Sequence, residues 1–203
     1  MSFIRHPPRL LAALAAVLLV LLSAPLEAAF AQSAMPITHS ASNRYGSLLA
    51  PAEACPGGGA GGMTADQKAA MRCLVNWART HVGLRPLRRS AVLDRSSKLK
   101  ASAIDRCHDF SHTACGRRFE WTFEQAGYLG APRWEIGENI AVGTGPAASA
   151  RSTLLAWLNS PGHRHNLLGA GWQDLGVGLA RTHALLGLSG SATVWVSQFG
   201  WRG

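Results

Sequence analysis

An α+β fold is what the sequence predicts, and three observations carry it. Apolar residues recur at helical spacing through the first half of the domain. Near the C-terminus they alternate with a period of two. No regular strand–helix–strand alternation links the two halves, which argues against a doubly wound parallel sheet.

The N-terminus is read first. Arg5 and Arg9 precede an unbroken apolar run, Leu10 to Leu22, and Ala29-Phe30-Ala31 follows as a small-x-small cleavage signal. These are the three regions of an export signal. The run is shorter than the roughly 20 apolar residues that span a bilayer. Residues 1–31 are therefore expected to be a cleaved signal peptide, with an uncleaved anchor as the alternative. The protein is expected to be secreted, either extracellular or periplasmic. Residues 32–62 lack periodicity and end in "PGGGAGG". They read as a flexible leader tied down at Cys55. Residues 63–203 form the domain.

Thr64 is the expected N-cap of a first helix running to His81, with Asp66 and Gln67 in its first turn. Met71, Leu74, Val75, Ala78 and Val82 make its apolar face, and Gly83 and Pro86 end it. Ser90 opens a second helix to about Asp109, with Leu93, Leu99, Ala103 and Ile104 inward. A short third helix covers Phe119 to Ala126 and stops at Gly127. "GENIAVGTG" reads as a strand or extended turn. Pro146 starts a helix to about Asn159, with Leu154, Leu155 and Trp157 on its apolar side. Ser160 and Pro161 begin a further turn. "LGVGLART" and "ATVWVSQFGW" alternate as strands around the turn residues "GLSGS". Trp157, Trp172 and Trp195 are expected to be packing residues.

The chain carries 20 Lys and Arg against 11 Asp and Glu, a formal +9. This balance favours anionic partners such as envelope polymers or lipids. The basic residues are dispersed apart from "RPLRR" and "GRR", and no aromatic-rich basic motif is present, so a nucleic-acid partner is not expected. Four cysteines in an exported chain imply disulfides. Of the three pairings available, the sequence-local ones are favoured: Cys55 with Cys73, and Cys107 with Cys115. The rival for the second pair is a zinc tetrad of Cys107, His108, His112 and Cys115. Its spacing departs from the usual paired C-x2–4-C, and an oxidising compartment favours the disulfide.

Three residues can carry chemistry. His112, in "DFSHTAC", lies in a turn that the disulfide would restrain. Glu138, between Gly137 and Asn139, can serve as a strand-end acceptor, a metal ligand or a general base. His163, in "SPGHRHN", sits near a helix N-terminus, where the dipole favours a neutral ring able to ligate metal. Asn166, three residues on, can support it by a hydrogen bond, while His165 faces elsewhere. The sequence holds no H-E-x-x-H and no G-x-S-x-G, and paired cysteines leave no thiol nucleophile.

Five blocks stand in order: "NWARTHVGLRPLRRS", "DFSH", "GENIAVG", "WLNSPGHRHNLL" with "LGVGLA", and "WVSQFG". From about Met71 to Gly200 the chain resembles the CAP superfamily of cysteine-rich secretory and pathogenesis-related proteins, in its bacterial SCP-domain form. The resemblance implies a three-layer α-β-α sandwich with a central antiparallel sheet. It also implies a cleft of two histidines and acidic residues that in some relatives binds zinc or another divalent cation. By motif these residues are His112, Glu138 and His163. Animal and plant relatives usually add a second acid three residues after the tryptophan; here that position is Ser160. The expected function is binding of a divalent metal or small ligand in this cleft. The alternatives are a metal-dependent hydrolase of peptides or envelope material, and a lipid- or envelope-binding module.

Overall fold

The computed structural model describes residues 4–5, 43–59, 62–183, 185–188 and 191–203. Its helices are α1 (Thr64–His81), α2 (Ala91–Cys107), α3 (Trp121–Ala126), α4 (Ala150–Asn159) and α5 (Pro161–Leu167). The expected apolar face of α1 is buried through Met71, Leu74, Val75 and Ala78. Thr64 is not its cap: Met63 holds that position with no side-chain hydrogen bond. Ser90 does cap α2, its Oγ accepting from the Leu93 N–H at 3.2 Å. Leu99, expected inward, is 39% exposed. The stripe that α2 buries runs through Leu93, Ser97, Lys100 and Ile104 at helical spacing, and Leu99 falls beside it. The helix expected from Pro146 starts later. Gly145–Ala148 forms a 3-10 turn, and Ser149 caps α4 by accepting from the Ser152 N–H at 3.1 Å.

The strands are β1 (Ile4–Arg5), β2 (Arg88–Arg89), β3 (Trp134–Thr144), β4 (Asp174–Thr182) and β5 (Ala192–Arg202), in the spatial order β1-β3-β5-β4-β2. β5 is antiparallel to β3 on one side and to β4 on the other. β2 runs parallel to β4, so the sheet is mixed where a wholly antiparallel one was expected. The cause is local. Arg88–Arg89 leads into α2 alongside the start of β4, where Arg88 pairs with Asp174 at 3.1 Å.

Strand alternation sorts the core into layers. Ile140 and Val142 of β3, with Val194 and Val196 of β5, pack with Ala101, Ala103 and Ile104 of α2. Ala141, Trp195, Phe199, Leu175 and Val177, on the other face, pack with α1 and α4. This is the expected three-layer sandwich. β4 lets α2 approach closely because it carries glycines toward the helix. A Cβ at Gly176 would lie 2.1 Å from the Leu93 carbonyl carbon, and one at Gly178 would lie 2.3 Å from that of Ser97.

Both expected disulfides are present, Cys55–Cys73 and Cys107–Cys115, and the second excludes the Cys2His2 tetrad by consuming both its thiols. Within the stretch read as a leader, Ala50 and Cys55 are buried in the α1–α4 core, with Tyr45, Leu48, Leu49 and Ala54 packed against it. Of residues 1–31 only Ile4–Arg5 is described; the rest of the expected signal lies outside the described residues, as do Ser189 and Gly190 of the expected "GLSGS" turn. No described helix is long and apolar enough to cross a membrane.

Candidate functional site

The site straddles β3. Successive residues of a strand point to opposite faces, so Glu138 faces the α2 layer while Asn139 faces α4 and α5. Each anchors one of the two candidate histidines. His112 lies in the turn between α2 and α3, and its Nδ1 is 2.9 Å from Glu138 Oε1. His163 is the third residue of α5, and its backbone carbonyl accepts from Asn139 Nδ2 at 3.0 Å.

The His112 turn is held at several points. The disulfide ties its two ends. The Asp109 carboxylate accepts from the Cys115 N–H at 3.1 Å. Lys100 Nζ donates to the carbonyl of His112 itself. Phe119 meets the imidazole edge-on, centroids 6.1 Å apart. The rotamer of His112 is thus set by packing and by the carboxylate together.

Glu138 is fully enclosed, its side chain 0% exposed. Its register partner on β5 is Gln198, whose Nε2 donates to Glu138 Oε2 at 2.8 Å and to Thr122 Oγ1 at 3.1 Å. Ser97 Oγ donates to the other end of the same amide at 3.3 Å. Lys100 Nζ lies 3.8 Å from Glu138 Oε1. Burial alone would push this carboxyl upward. The Lys100 ammonium, with the His112 and Gln198 hydrogen bonds, outweighs it and holds the carboxyl below the usual carboxylate range. An ionised Glu138 only accepts, so His112 Nδ1 carries the shared hydrogen and Nε2 takes no part in that bond.

His163 is held differently. Its Nδ1 is 2.9 Å from Ser160 Oγ, and its ring lies 6.3 Å from Trp157. Burial is the main cause that lowers its pKa to about 4, and the nearby His112 lowers it further. Asn166 does not support the His163 ring as expected. Its Nδ2 donates to the Glu138 carbonyl at 3.0 Å and to Asn139 Oδ1 at 2.9 Å, tying α5 to the edge of β3. The turn geometry explains this: Asn166 is buried against the sheet, whereas Ser160 is the residue beside the ring.

Three contributors escaped the sequence reading: Lys100, Asn139 and Gln198. A lysine at the centre of an apolar helical stripe was the available signal for the first. Gln198 lies in "WVSQFG", but only strand register reveals that it faces Glu138. Among the described residues, no group of three His, Cys, Asp or Glu side chains is gathered as a metal site.

The family model of CAP, the cysteine-rich secretory protein family, matches residues 73–199. The chain is 29% identical over 126 residues to the uncharacterized protein YkwD of Bacillus subtilis (strain 168), a match covering 62% of this chain and 44% of that protein. The chain thus spans less than half the length of this relative. Among solved structures it is similar to an extracellular SCP-domain protein from Bacillus anthracis str. Ames, at TM-score 0.52 and 23% identity, covering 70% of this chain and 44% of that one. It is also similar to an outer surface protein from Borrelia burgdorferi, at TM-score 0.55 and 19% identity, covering 70% of this chain and 96% of that one.

Proposed function

Because the chain belongs to the CAP, or cysteine-rich secretory protein, family, we propose that it is exported and that the cleft between His112 and His163 binds a small polar ligand without turning it over. The observation that carries this reading is the engagement of Glu138. Both its oxygens are taken, Oε1 by His112 and Lys100 and Oε2 by Gln198. It therefore anchors a ring rather than serving as a free base. On this reading His112 offers the cleft its Nε2, since Nδ1 is engaged by Glu138, and His163 offers a ring whose Nδ1 lies 2.9 Å from Ser160 Oγ. Paired imidazoles of this kind suit a ligand with hydroxyl or amide groups.

Turnover is less well supported. A general base works best with a pKa near the operating pH. At about 4, His163 is a weak base for the Ser160 hydroxyl beside it. The metal expectation also fits poorly. Catalytic zinc takes three protein ligands, whereas this cleft offers two imidazole nitrogens and a carboxylate already paired with an ammonium.

The setting is the cell envelope. The Arg5–Leu22 signal pattern supports export, and two structural neighbours are described as extracellular and outer-surface proteins. The basic balance, +9 for the whole chain and +8 once residues 1–31 with Arg5, Arg9 and Glu27 are removed, favours an anionic matrix. The test is histidine-selective 15N NMR of the exported protein during addition of a soluble N-acetylglucosamine tetramer and, separately, of anionic vesicles. Saturable shifts of both His112 and His163, lost in H112A and H163A, support the proposal. Vesicle binding indifferent to both variants favours a surface-binding module instead.

A further inference from the structure

Lys100 lies within the buried stripe of α2, where helical spacing aims side chains at the sheet. The residue is 2% exposed. A lysine this deep is rare unless paired. Its ammonium donates to the His112 carbonyl, stands 3.8 Å from Glu138 Oε1 and lies 6.0 Å from the centre of the Phe119 ring. His112 Nδ1 and Lys100 Nζ therefore converge on the same carboxylate oxygen. An ion bound at the other nitrogen of His112 would lie only one imidazole ring away from that oxygen and would repel the ammonium already there.

We infer that Lys100 is the resident cation of the cleft: a positioning residue that gives Glu138 and the His112 turn the positive charge a divalent ion would bring, and so reserves the two imidazoles for uncharged or anionic ligands. This rests on the proposed reading of His112 and His163 as walls of one cleft. The charge is covalently part of the chain, and it reaches both parts of the site, the carboxylate on β3 and the backbone of the turn. The orientation of His112 therefore needs no exogenous ion. The cation-binding expectation and the structure disagree at this one residue.

The test is titration of the full exported chain with zinc chloride, followed by calorimetry and by histidine 15N shifts, in the parent, K100M, K100R and K100M/H112A. K100M should bind zinc at least tenfold more tightly than the parent, K100R should behave as the parent, and H112A should remove the gain. Equal zinc affinity in parent and K100M, or a gain that survives H112A, overturns the inference. Should K100M not fold, the parent gives the answer: a protected Lys100 15NH3+ signal unchanged in saturating zinc agrees, and a signal shifted or lost on zinc addition overturns. The two proposals fail separately. A zinc gain in K100M with no sugar-induced shift refutes the ligand reading alone, and sugar-induced shifts with no zinc gain refute the role of Lys100 alone.

Discussion

Glu138→Ala should be among the most destabilising single changes in this chain. The carboxylate is 0% exposed, and its partner Lys100 is 2% exposed. Truncating the acid leaves an ammonium in the core without its counter-ion. Breaking a buried pair in this way costs about 3–5 kcal/mol. Hydrogen bonds of 2.9 Å from His112 and 2.8 Å from Gln198 go with it, although Gln198 keeps Thr122 at 3.1 Å. For a domain of this size each kcal/mol moves Tm by about 2–4 °C, so a fall of about 6–20 °C is expected. Tryptophan fluorescence at pH 7 measures both, thermal unfolding giving the fall in Tm and urea unfolding the loss in free energy. The double variant K100M/E138L should lie closer to the parent than E138A does, since an apolar pair leaves no unpaired charge. A loss below about 1 kcal/mol in E138A, or a double variant as unstable as the two single changes summed, would show that no buried ion pair holds this part of the core. The acid limb adds a check. A carboxyl held low in the folded state stabilises fully above its unfolded pKa of about 4.3, and that contribution disappears as pH falls through the folded value. E138A should lack this part of the acid loss.

Three other outcomes are expected. His163 has its pKa lowered from 6.5 to about 4, so between these values the unfolded chain binds a proton that the folded chain refuses. Stability should fall by about 2–3 kcal/mol on acidification through that window, and H163Q, measured by the same denaturation series, should flatten the slope. Gly178→Ala should prevent native packing or destabilise by more than about 3 kcal/mol, because its Cβ would meet the Ser97 backbone at 2.3 Å; a normal melting curve would contradict the close α2–β4 contact. The pair C107S/C115S should lose about 2–4 kcal/mol and detach His112 from Glu138, read as a changed His112 15N tautomer pattern, whereas an unchanged pattern would show the disulfide dispensable for the turn.

Much of this was legible in the sequence, because the signals were local. Ser90 reads as a cap and is one. Gly127 reads as a helix stop and has φ +80. The two disulfides close short loops, so proximity in sequence sufficed. Period-two alternation marked β4 and β5, and the ordered blocks marked the sandwich. Residues whose placement depends on tertiary context were not legible. Leu99 looks apolar at a helical position, but packing of α2 on the glycines of β4 selects the stripe beside it. Lys100 is in that stripe for a reason that lies on another element, the Glu138 carboxylate. Asn166 was placed near His163 by spacing, yet the edge of β3 competes for its amide. The mixed character of the sheet rests on two residues, Arg88 and Arg89, too few to show a pattern.

Every functional proposal above requires the rings of His112 and His163 to share one cleft across the edge of β3. An NMR pH titration of the His163 imidazole in the parent and in H112Q probes that arrangement without any ligand, because burial and the neighbouring His112 both lower its pKa. The expected midpoint is near 4 in the parent, with an upward displacement in H112Q. A His163 midpoint indifferent to the loss of His112 would mean that the two rings do not face each other.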